Sequence, residues 1–269
     1  MKKMGKINYA ETNKFWNESQ RVKLASQYSM GYLLPPEFEN VAYYRFRKEL
    51  SFLNKFGKFG GNYLDLGCGT GNFIYFFRKR FDKLIGIDFS DSMVQTAKKR
   101  CVGVENVKIF RDNILNFEKY LENNDKFKFI FIGGCLIYLN DNDIAVTLDK
   151  LQNRLEKDGV IIFREPVATK KRIYENKDGY TGIRRTVREY KKYINADSKE
   201  YSLVVYPNYY VNYSFLIILY KKILFSIKLD TTIFYNPIVE FLFLYIPLRF
   251  YIMTKKNMVL YNFFVINKK

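Results

Sequence analysis

Short apolar runs alternate with amphipathic stretches from residue 62 to residue 166. The apolar runs have the length of buried strands, and the stretches between them fit helices with one apolar face. Five strands are predicted, in "NYLDLGC", "KLIGIDFS", "NVKIFRDN", "FKFIFIGGC" and "VIIFREP". Strands that alternate with helices pair in parallel and are covered on both faces, so we expect an open α/β sheet.

The clearest helix lies between the fourth and fifth predicted strands, in "DNDIAVTLDKLQNRLEKDG". Asp141 can cap this helix and Gly159 can end it. Its apolar stripe consists of Ile144, Leu148, Leu151 and Leu155. Beyond Pro166 the pattern predicts a helix over "TVREYKKYI", opened by a capping box of Thr186 and Glu189, and strands in "EYSLVVYP" and "MVLYNFFVINKK".

The chain divides into three parts on these patterns. Residues 1–56 are predicted to form a helical cap of two helices, and residues 57–211 with 257–269 to form the sheet domain. Residues 212–256, an apolar segment rich in Phe, Leu, Ile and Tyr, are predicted to form a helical insertion before the last strand.

The insertion has three interpretations: a transmembrane span, helices lying on a membrane surface, or a lid packed on the domain. Residues 231–253 are long enough to span, but Pro237, Glu240 and Pro247 interrupt them. A single span would also separate the last strand from its sheet. We therefore expect helices at the surface of an anionic membrane, with the self-packed lid as the alternative.

The net charge of the chain indicates which kinds of partner it could bind. The 269 residues carry 45 basic and 27 acidic side chains, for a net charge of +18. This favours an anionic partner, such as nucleic acid, a phospholipid surface or a phosphorylated substrate, although AT-rich coding sequence gives the same composition. Three widely spaced cysteines and the absence of histidine argue against a zinc site and a disulfide framework. We expect a cytoplasmic protein, since no secretory signal is visible.

The stretch "YLDLGCGTGNF" follows the first strand and holds Gly67, Gly69 and Gly71. A glycine turn between a strand and a helix brings free backbone N–H groups close to a ligand, although many turns need glycine for other reasons. The G-x-G-x-G spacing differs from that of dinucleotide-binding proteins. Asp88 and Asp112 end the next two strands, where acids can meet the ribose and base of a nucleoside.

These motifs together resemble those of class I S-adenosylmethionine-dependent methyltransferases. The resemblance rests on "YLDLGCGTGNF", "LIGIDFSDSMVQTAKKR", "VKIFRDNIL", "FIFIGGCLIYL" and "LEKDGVIIFREP" and covers residues 62–166. It implies a Rossmann-like, open, seven-stranded and mostly parallel sheet, in which "LYNFFVINKK" lies beside the fifth strand. It also implies S-adenosylmethionine as cofactor. We expect no metal, since the chain has no histidine.

The resemblance assigns roles to individual positions. Asp65 would orient the amino end of the cofactor, Asp88 would hold the ribose, and Asp112 would accept from the adenine amino group. Glycines of the loop and Gly133 would lie against the methionine portion, and Phe89 and Met93 would flank adenine. The complete set of implied cofactor-binding residues is Asp65, Gly67, Cys68, Gly69, Gly71, Asp88, Phe89, Met93, Asp112, Asn113, Ile114 and Gly133.

The methyl acceptor is less well defined by the sequence. Methyl transfer needs alignment above all, and it needs a general base only where the acceptor must lose a proton. Tyr138, Glu165 and Asp141 are candidate bases, and Arg164 is a candidate for binding an anionic acceptor or for pairing with Glu165. Aromatic residues of the cap (Trp16, Tyr28 and Tyr32) would wall the pocket or fasten the cap to the sheet.

We therefore predict methyl transfer to a small-molecule or lipid-linked acceptor. Two alternatives from other classes are a non-catalytic S-adenosylmethionine-binding or assembly module and a nicotinamide-dependent oxidoreductase, which the glycine spacing disfavours. A nucleic-acid substrate is disfavoured because "GGCLIYL" follows the fourth strand in place of an Asn/Asp-Pro-Pro-Tyr signature.

Overall fold

A computed structural model of the protein describes residues 5–18, 28, 38–57, 59–177, 179–194, 200–208, 216–217, 236–248 and 259–268. Its strands are β1 (Asn62–Leu66), β2 (Lys83–Asp88), β3 (Val107–Arg111), β4 (Phe127–Gly133), β5 (Leu155–Ala168), β6 (Ile173–Lys177), β7 (Tyr180–Arg184), β8 (Tyr201–Asn208) and β9 (Val259–Lys268). Its helices are α1 (Tyr9–Glu18), α2 (Glu39–Phe56), α3 (Asn72–Phe77), α4 (Asp91–Arg100), α5 (Asp141–Asn153), α6 (Val187–Tyr193) and α7 (Pro237–Glu240), which a π-helical turn, Phe241–Tyr245, continues. Two 3₁₀ segments span Ile114–Tyr120 and Leu136–Tyr138.

The main sheet has seven strands in the order β3-β2-β1-β4-β5-β9-β8. β1 to β5 are parallel, and β9 runs antiparallel between β5 and β8. The predicted open α/β sheet is confirmed, and so is the position of the last strand beside the fifth. β6 and β7 form a separate two-stranded antiparallel sheet that was not predicted.

Helices cover both faces of the sheet because side chains alternate along each strand. Leu64 of β1 and Ile161 of β5 pack with apolar residues of α5 and α6 on one face. Tyr63 and Ile162, one residue away from each of these, pack with residues of α2, α3 and α4 on the other. Two apolar clusters therefore sandwich the sheet.

α5 ends earlier than the sequence predicts. It ends at Asn153, and residues 155–158, predicted as helix, already belong to β5. Phe127 pairs with Leu155, the register then shifts, and Phe129 pairs with Val160. Gly159 lies in this irregular stretch, where an added Cβ would come within 2.8 Å of the Phe127 carbonyl oxygen. The glycine permits close backbone approach within the sheet and does not end the helix.

The capping box of α6 is confirmed: Thr186 accepts from the Glu189 amide, and the Glu189 side chain accepts from the Thr186 amide. Asp141 is the first residue of α5, and its carboxylate binds Arg172 and Arg185.

Only part of the predicted insertion falls within the described residues. The helical segment that continues α7 packs against α2, since its Leu244 and Leu248 form one apolar cluster with Val41, Ala42 and Tyr44. None of the described helices has the length and apolar character needed to cross a bilayer. Most of residues 212–256 lie outside the described part of the chain.

Candidate active site

A cavity of about 430 Å³ lies at the carboxyl ends of the parallel strands, with α1 as one wall. All the predicted cofactor-binding residues except Gly71 line it. Tyr138 and Arg164, two of the three predicted catalytic residues, line it as well. Glu165 is not among the described residues on its wall. The residues that line the cavity run from Tyr9 to Arg164 in the sequence, so the structure brings together side chains from distant parts of the chain.

The loop after β1 approaches the cavity as bare backbone. Gly69 has a φ of +54°, and an added Cβ would meet no atom within 4 Å, so the left-handed conformation is what requires glycine there. Gly71, with a φ of +73°, is different because its Cβ would lie 2.9 Å from the Ala97 Cβ. Gly71 therefore serves the close packing of the start of α3 on α4, away from the cavity wall.

Asp65 presents an unsatisfied acceptor to the cavity. Its side chain is buried, and Tyr63 donates a hydrogen bond to Oδ2 over 3.2 Å. Oδ1 has no hydrogen-bond partner among the described residues. Burial raises the pKa of this carboxyl to about 7. A buried acceptor of this kind is costly unless a ligand supplies a donor, which is a fit for an ammonium group.

Asp88 links the loop after β1 to the loop after β2 through hydrogen bonds. Its Oδ2 accepts from the Gly69 amide and its Oδ1 from the Ser90 amide, both over 2.9 Å. Burial raises the pKa of Asp88, and the amides of Ser90 and Gly69 oppose that shift. Each oxygen keeps a second lone pair for a ligand hydroxyl.

Asp112 is already engaged with protein donors. Oδ1 accepts from the Asn113 amide over 2.7 Å and from Asn116 Nδ2 over 2.8 Å, and Oδ2 accepts from the Tyr120 hydroxyl over 2.8 Å. Partial burial raises the pKa of Asp112, but bonds from Asn116, Tyr120 and Asn113 outweigh it, and the pKa lies below its ordinary value. Its role toward adenine stays a prediction, with little acceptor capacity left to fulfil it.

Four aromatic rings in edge-to-face contact form a cluster beside the cavity, and two of them line it. Phe15 contacts Trp16, Trp16 contacts Tyr138, Tyr138 contacts Tyr180, and Tyr180 contacts Phe15, with centroids 5.5 to 5.8 Å apart. Trp16 and Tyr138 line the cavity. The buried Trp16 Nε1 has no hydrogen-bond partner within the described part of the chain. Trp16 thus both walls the pocket and fastens α1, whereas Tyr28 packs on Tyr43 and Phe46, and Tyr32 lies outside the described residues.

Arg164 pairs with Glu49 of α2 and not with Glu165. Both side chains of the Arg164–Glu49 pair are buried, and Arg164 Nη2 also donates to the Gly133 carbonyl over 3.1 Å. Asn208 of β8 donates to the second Glu49 oxygen over 3.0 Å. The charge of Arg164 is therefore already matched inside the protein. Sequence reasoning missed Glu49, which lies outside every motif.

Glu165 points away from the cavity, which corrects its predicted place beside Arg164. Neighbouring residues of a strand face opposite sides of the sheet, so Arg164 and Glu165 cannot both line the pocket. Glu165 is fully buried, and its Oε1 accepts from the Leu136 amide over 2.9 Å. Burial raises its pKa to about 8.

The fold and the cavity together define a class of protein: an open α/β sheet with a nucleoside-sized cavity lined by strand-end acids and a glycine turn. The family described as "Methyltransferase domain" matches residues 58–227, which is more than half of the chain. The protein belongs to the class I S-adenosylmethionine-dependent methyltransferase family, whose cofactor is S-adenosylmethionine.

Individual relatives match a shorter part of the chain than the family does. A carboxy-S-adenosyl-L-methionine synthase of Wolinella succinogenes is 30% identical over 145 residues, 51% of this chain and 58% of the relative. A demethylmenaquinone methyltransferase of Staphylococcus saprophyticus is 29% identical over 111 residues, 40% of this chain and 46% of the relative. The chain spans about half the length of the curated relatives it matches.

Among solved structures, the plantazolicin methyltransferase BamL, bound to a triazolic desmethylPZN analog and SAH, aligns over 97% of both chains. Its TM-score is 0.51 and its sequence identity 17%, a likeness that shows the fold alone.

Proposed function

We propose that this protein transfers the methyl group of S-adenosylmethionine to a small-molecule or lipid-linked acceptor. The observation that carries the proposal is that one cavity is lined by two kinds of group: strand-end acids with bare backbone, and aromatic rings with an unsatisfied indole N–H. We infer that the first kind marks a cofactor end of the cavity and the second an acceptor end.

The residues present fit the cofactor. Asp65 Oδ1 lacks a donor and would hold the ammonium of the methionine portion, while Asp88 would accept from the ribose hydroxyls. The Gly67–Gly69 turn and Gly133 leave room for the methionine chain, and Phe89 and Met93 would flank adenine. The bound cofactor supplies an electrophilic methyl group on a positively charged sulfur.

The protein's own contribution at the acceptor end would be alignment and exclusion of water. Burial raises the pKa of Tyr138 well above its ordinary value, so this hydroxyl stays protonated. It donates to the Tyr180 hydroxyl over 3.5 Å and would turn from this long bond to donate to the acceptor. Glu165 faces the other side of the sheet, and Arg164 is paired. These features favour an acceptor atom that already has a free lone pair near neutral pH, for which no base is needed.

The test begins with calorimetric titration of S-adenosylmethionine and NADH into the purified protein. We expect only the first to bind. The protein is then incubated with methyl-labelled cofactor and with separate aqueous and lipid extracts, and we expect label in a heat-stable product of one of them. Binding without any product would support the non-catalytic module.

The mass of the cofactor-derived product must be read in the same assay. A relative at 30% identity is named a carboxy-S-adenosyl-L-methionine synthase, and another at 29% a methyltransferase. S-adenosylhomocysteine formed together with a methylated acceptor supports the proposal, whereas a heavier, modified cofactor contradicts it.

We further propose that α7 contacts an anionic membrane surface, where a lipid-linked acceptor would be found. α7 and the turn that continues it expose Ile238 (69% exposed), Phe241 (51%) and Phe243 (54%). The one acid among these residues, Glu240, is paired with Lys48 of α2. The sequence adds basic residues on both sides of the helix, at Lys221, Lys222, Lys255 and Lys256. Exposed apolar side chains flanked by lysines favour an anionic bilayer as the partner.

Flotation with liposomes tests this contact. The intact protein should float with anionic liposomes at low salt and less at high salt, and Phe241→Ser with Phe243→Ser should reduce flotation. Val146→Ser is the matched control, because Val146 is an equally exposed apolar residue (55%) on α5. A folded protein that stays in the soluble fraction at low salt rules the contact out.

A further inference from the structure

We infer that Glu165 and Arg185 are positioning residues that clamp the Leu136–Leu139 turn from two sides and so fix Tyr138 at the cavity. This assigns a role to Arg185, which carries none in the motifs, and a different role to Glu165. That Tyr138 faces the methyl acceptor rests on the proposed function, but the clamp itself does not.

The first side of the clamp is Glu165 in β5. Its carboxyl group, fully buried behind the cavity wall, accepts through Oε1 from the Leu136 amide over 2.9 Å at the start of the 3₁₀ turn. A short 3₁₀ turn leaves its first amides without partners in the turn itself. The acid therefore satisfies a buried peptide group that would otherwise be unpaired.

The second side is Arg185, directly after β7. Its guanidinium, also fully buried, donates to the Leu136 carbonyl over 3.4 Å and to the Leu139 carbonyl over 2.7 Å. It also donates through Nε and Nη2 to Asp141 at the start of α5. One planar fork thus holds both ends of the turn and the helix that follows, which a lysine cannot do.

The position of Tyr138 follows from this clamp. Tyr138 is the last residue of the 3₁₀ turn between the two carbonyls, and its ring lies between Trp16 and Tyr180. Burying a guanidinium and a carboxyl group is unfavourable unless hydrogen bonds compensate for the loss of water. The burial of both groups behind this turn is explained if the turn needs one defined geometry.

The chain offers a specific probe, because Trp16 is its single tryptophan and contacts Tyr138 at 5.5 Å. Its fluorescence reports the wall of the cavity without cofactor or acceptor, so the outcome is independent of methyl transfer. Tyr138→Ala must itself alter the Trp16 emission and acrylamide quenching. If it does not, the contact is absent and the inference is wrong.

The main comparison is between Arg185→Met and Arg172→Met. Arg172 binds Asp141 and Glu189 but makes no bond to the turn carbonyls, so it is a matched control for loss of an ion pair in the same network. We expect Arg185→Met to shift the Trp16 emission to the red and to increase quenching, and Arg172→Met to leave both unchanged. Equal effects from the two folded variants overturn the clamp.

Two further variants keep the test decisive if Arg185→Met does not fold. Arg185→Lys should show a smaller shift in the same direction, since it keeps the charge but loses the fork. Glu165→Gln should behave as wild type because the amide oxygen can still accept from Leu136, and Glu165→Met should resemble Arg185→Met. Wild-type fluorescence in both Arg185→Lys and Glu165→Met, with unchanged far-ultraviolet circular dichroism, overturns the inference.

Discussion

At the proposed cofactor end of the cavity, the lining groups come from the last residues of neighbouring parallel strands and from the turns that follow them. Asp88, for example, joins two of these turns by accepting from Gly69 and Ser90. At the acceptor end, Trp16, Tyr138 and Tyr180 come from α1, a 3₁₀ turn and β7, and they meet through ring contacts and through a hydrogen bond from the Tyr138 hydroxyl to the Tyr180 hydroxyl over 3.5 Å. The first end is built by backbone geometry that the sheet imposes, and the second by side-chain packing between distant elements.

Among substitutions that test the difference between the two ends of the cavity, the largest effect is expected at Asp88. We expect Asp88→Ala to weaken S-adenosylhomocysteine binding by about 1.5–3 kcal/mol, the range for losing a hydrogen bond to a charged group, which is tenfold or more in affinity. The variant also frees the Gly69 and Ser90 amides, so the turn itself loosens. Calorimetric titration measures the change, and circular dichroism checks the fold.

Acceptor-end variants are the control for this result. If Tyr138→Phe lowers cofactor affinity as much as Asp88→Ala does, the two ends are not separate, and the division into a cofactor end and an acceptor end is wrong.

This division also explains what the sequence could predict. Asp65, Asp88 and the glycines were found because parallel strands end at one edge of the sheet, so local motifs determine the place of each group. Glu49 was missed because its partner Arg164 is 115 residues away and no local pattern links them. Glu165 was misplaced because the alternation of strand side chains was not applied to Arg164 and Glu165 together.

Two elements were missed for different reasons. The early end of α5 depends on a register shift between β4 and β5. The sequence gives no sign of this shift, because the helical spacing of apolar residues continues to Leu155. The β6–β7 hairpin had a usable signal in Asp178-Gly179, a pair typical of hairpin turns, and Gly179 has a φ of +77°.

The next test concerns the pH dependence of cofactor affinity. Burial raises the pKa of Asp65 to about 7. An ammonium beside Oδ1 favours the ionised carboxylate, so binding releases a proton below that pKa. Affinity should therefore rise with pH, by about an order of magnitude between about pH 5.5 and 7.5, and then level off.

Asp65→Asn removes the titrating group and provides the comparison. Its S-adenosylhomocysteine affinity should be weaker at neutral pH and should change little over the same range. Proton release is checked by titrating in buffers of different ionisation enthalpy. A wild-type protein whose affinity is flat with pH would show that Asp65 does not bind the ammonium.

Trp16 tests the acceptor end with a smaller effect. Trp16→Phe keeps an aromatic ring against Tyr138 but removes the indole N–H, which has no partner among the described residues. If a ligand oxygen accepts from that N–H, the loss is about 0.5–1.5 kcal/mol, as for an uncharged hydrogen bond.

The ligand that binds more weakly to Trp16→Phe shows whether Trp16 lies at the cofactor end or at the acceptor end of the cavity. We expect the KM for the acceptor to rise while S-adenosylhomocysteine affinity stays as in wild type. A drop in S-adenosylhomocysteine affinity instead would move Trp16 to the cofactor end of the cavity.

The smallest change in affinity is expected at Asp112, the acid at the cofactor end that the protein itself already saturates. Asn113, Asn116 and Tyr120 all donate to its carboxylate. Asp112→Asn should therefore lower the stability of the fold more than it lowers the affinity for the cofactor. We expect a change in S-adenosylhomocysteine affinity within about 0.5 kcal/mol, together with a clear fall in the free energy of unfolding, because charge-assisted hydrogen bonds are lost. Calorimetric titration and urea unfolding measure the two quantities on one preparation. If the affinity instead falls as far as it does in Asp88→Ala while stability is kept, Asp112 contacts adenine directly and its bonds within the protein give way when the cofactor binds.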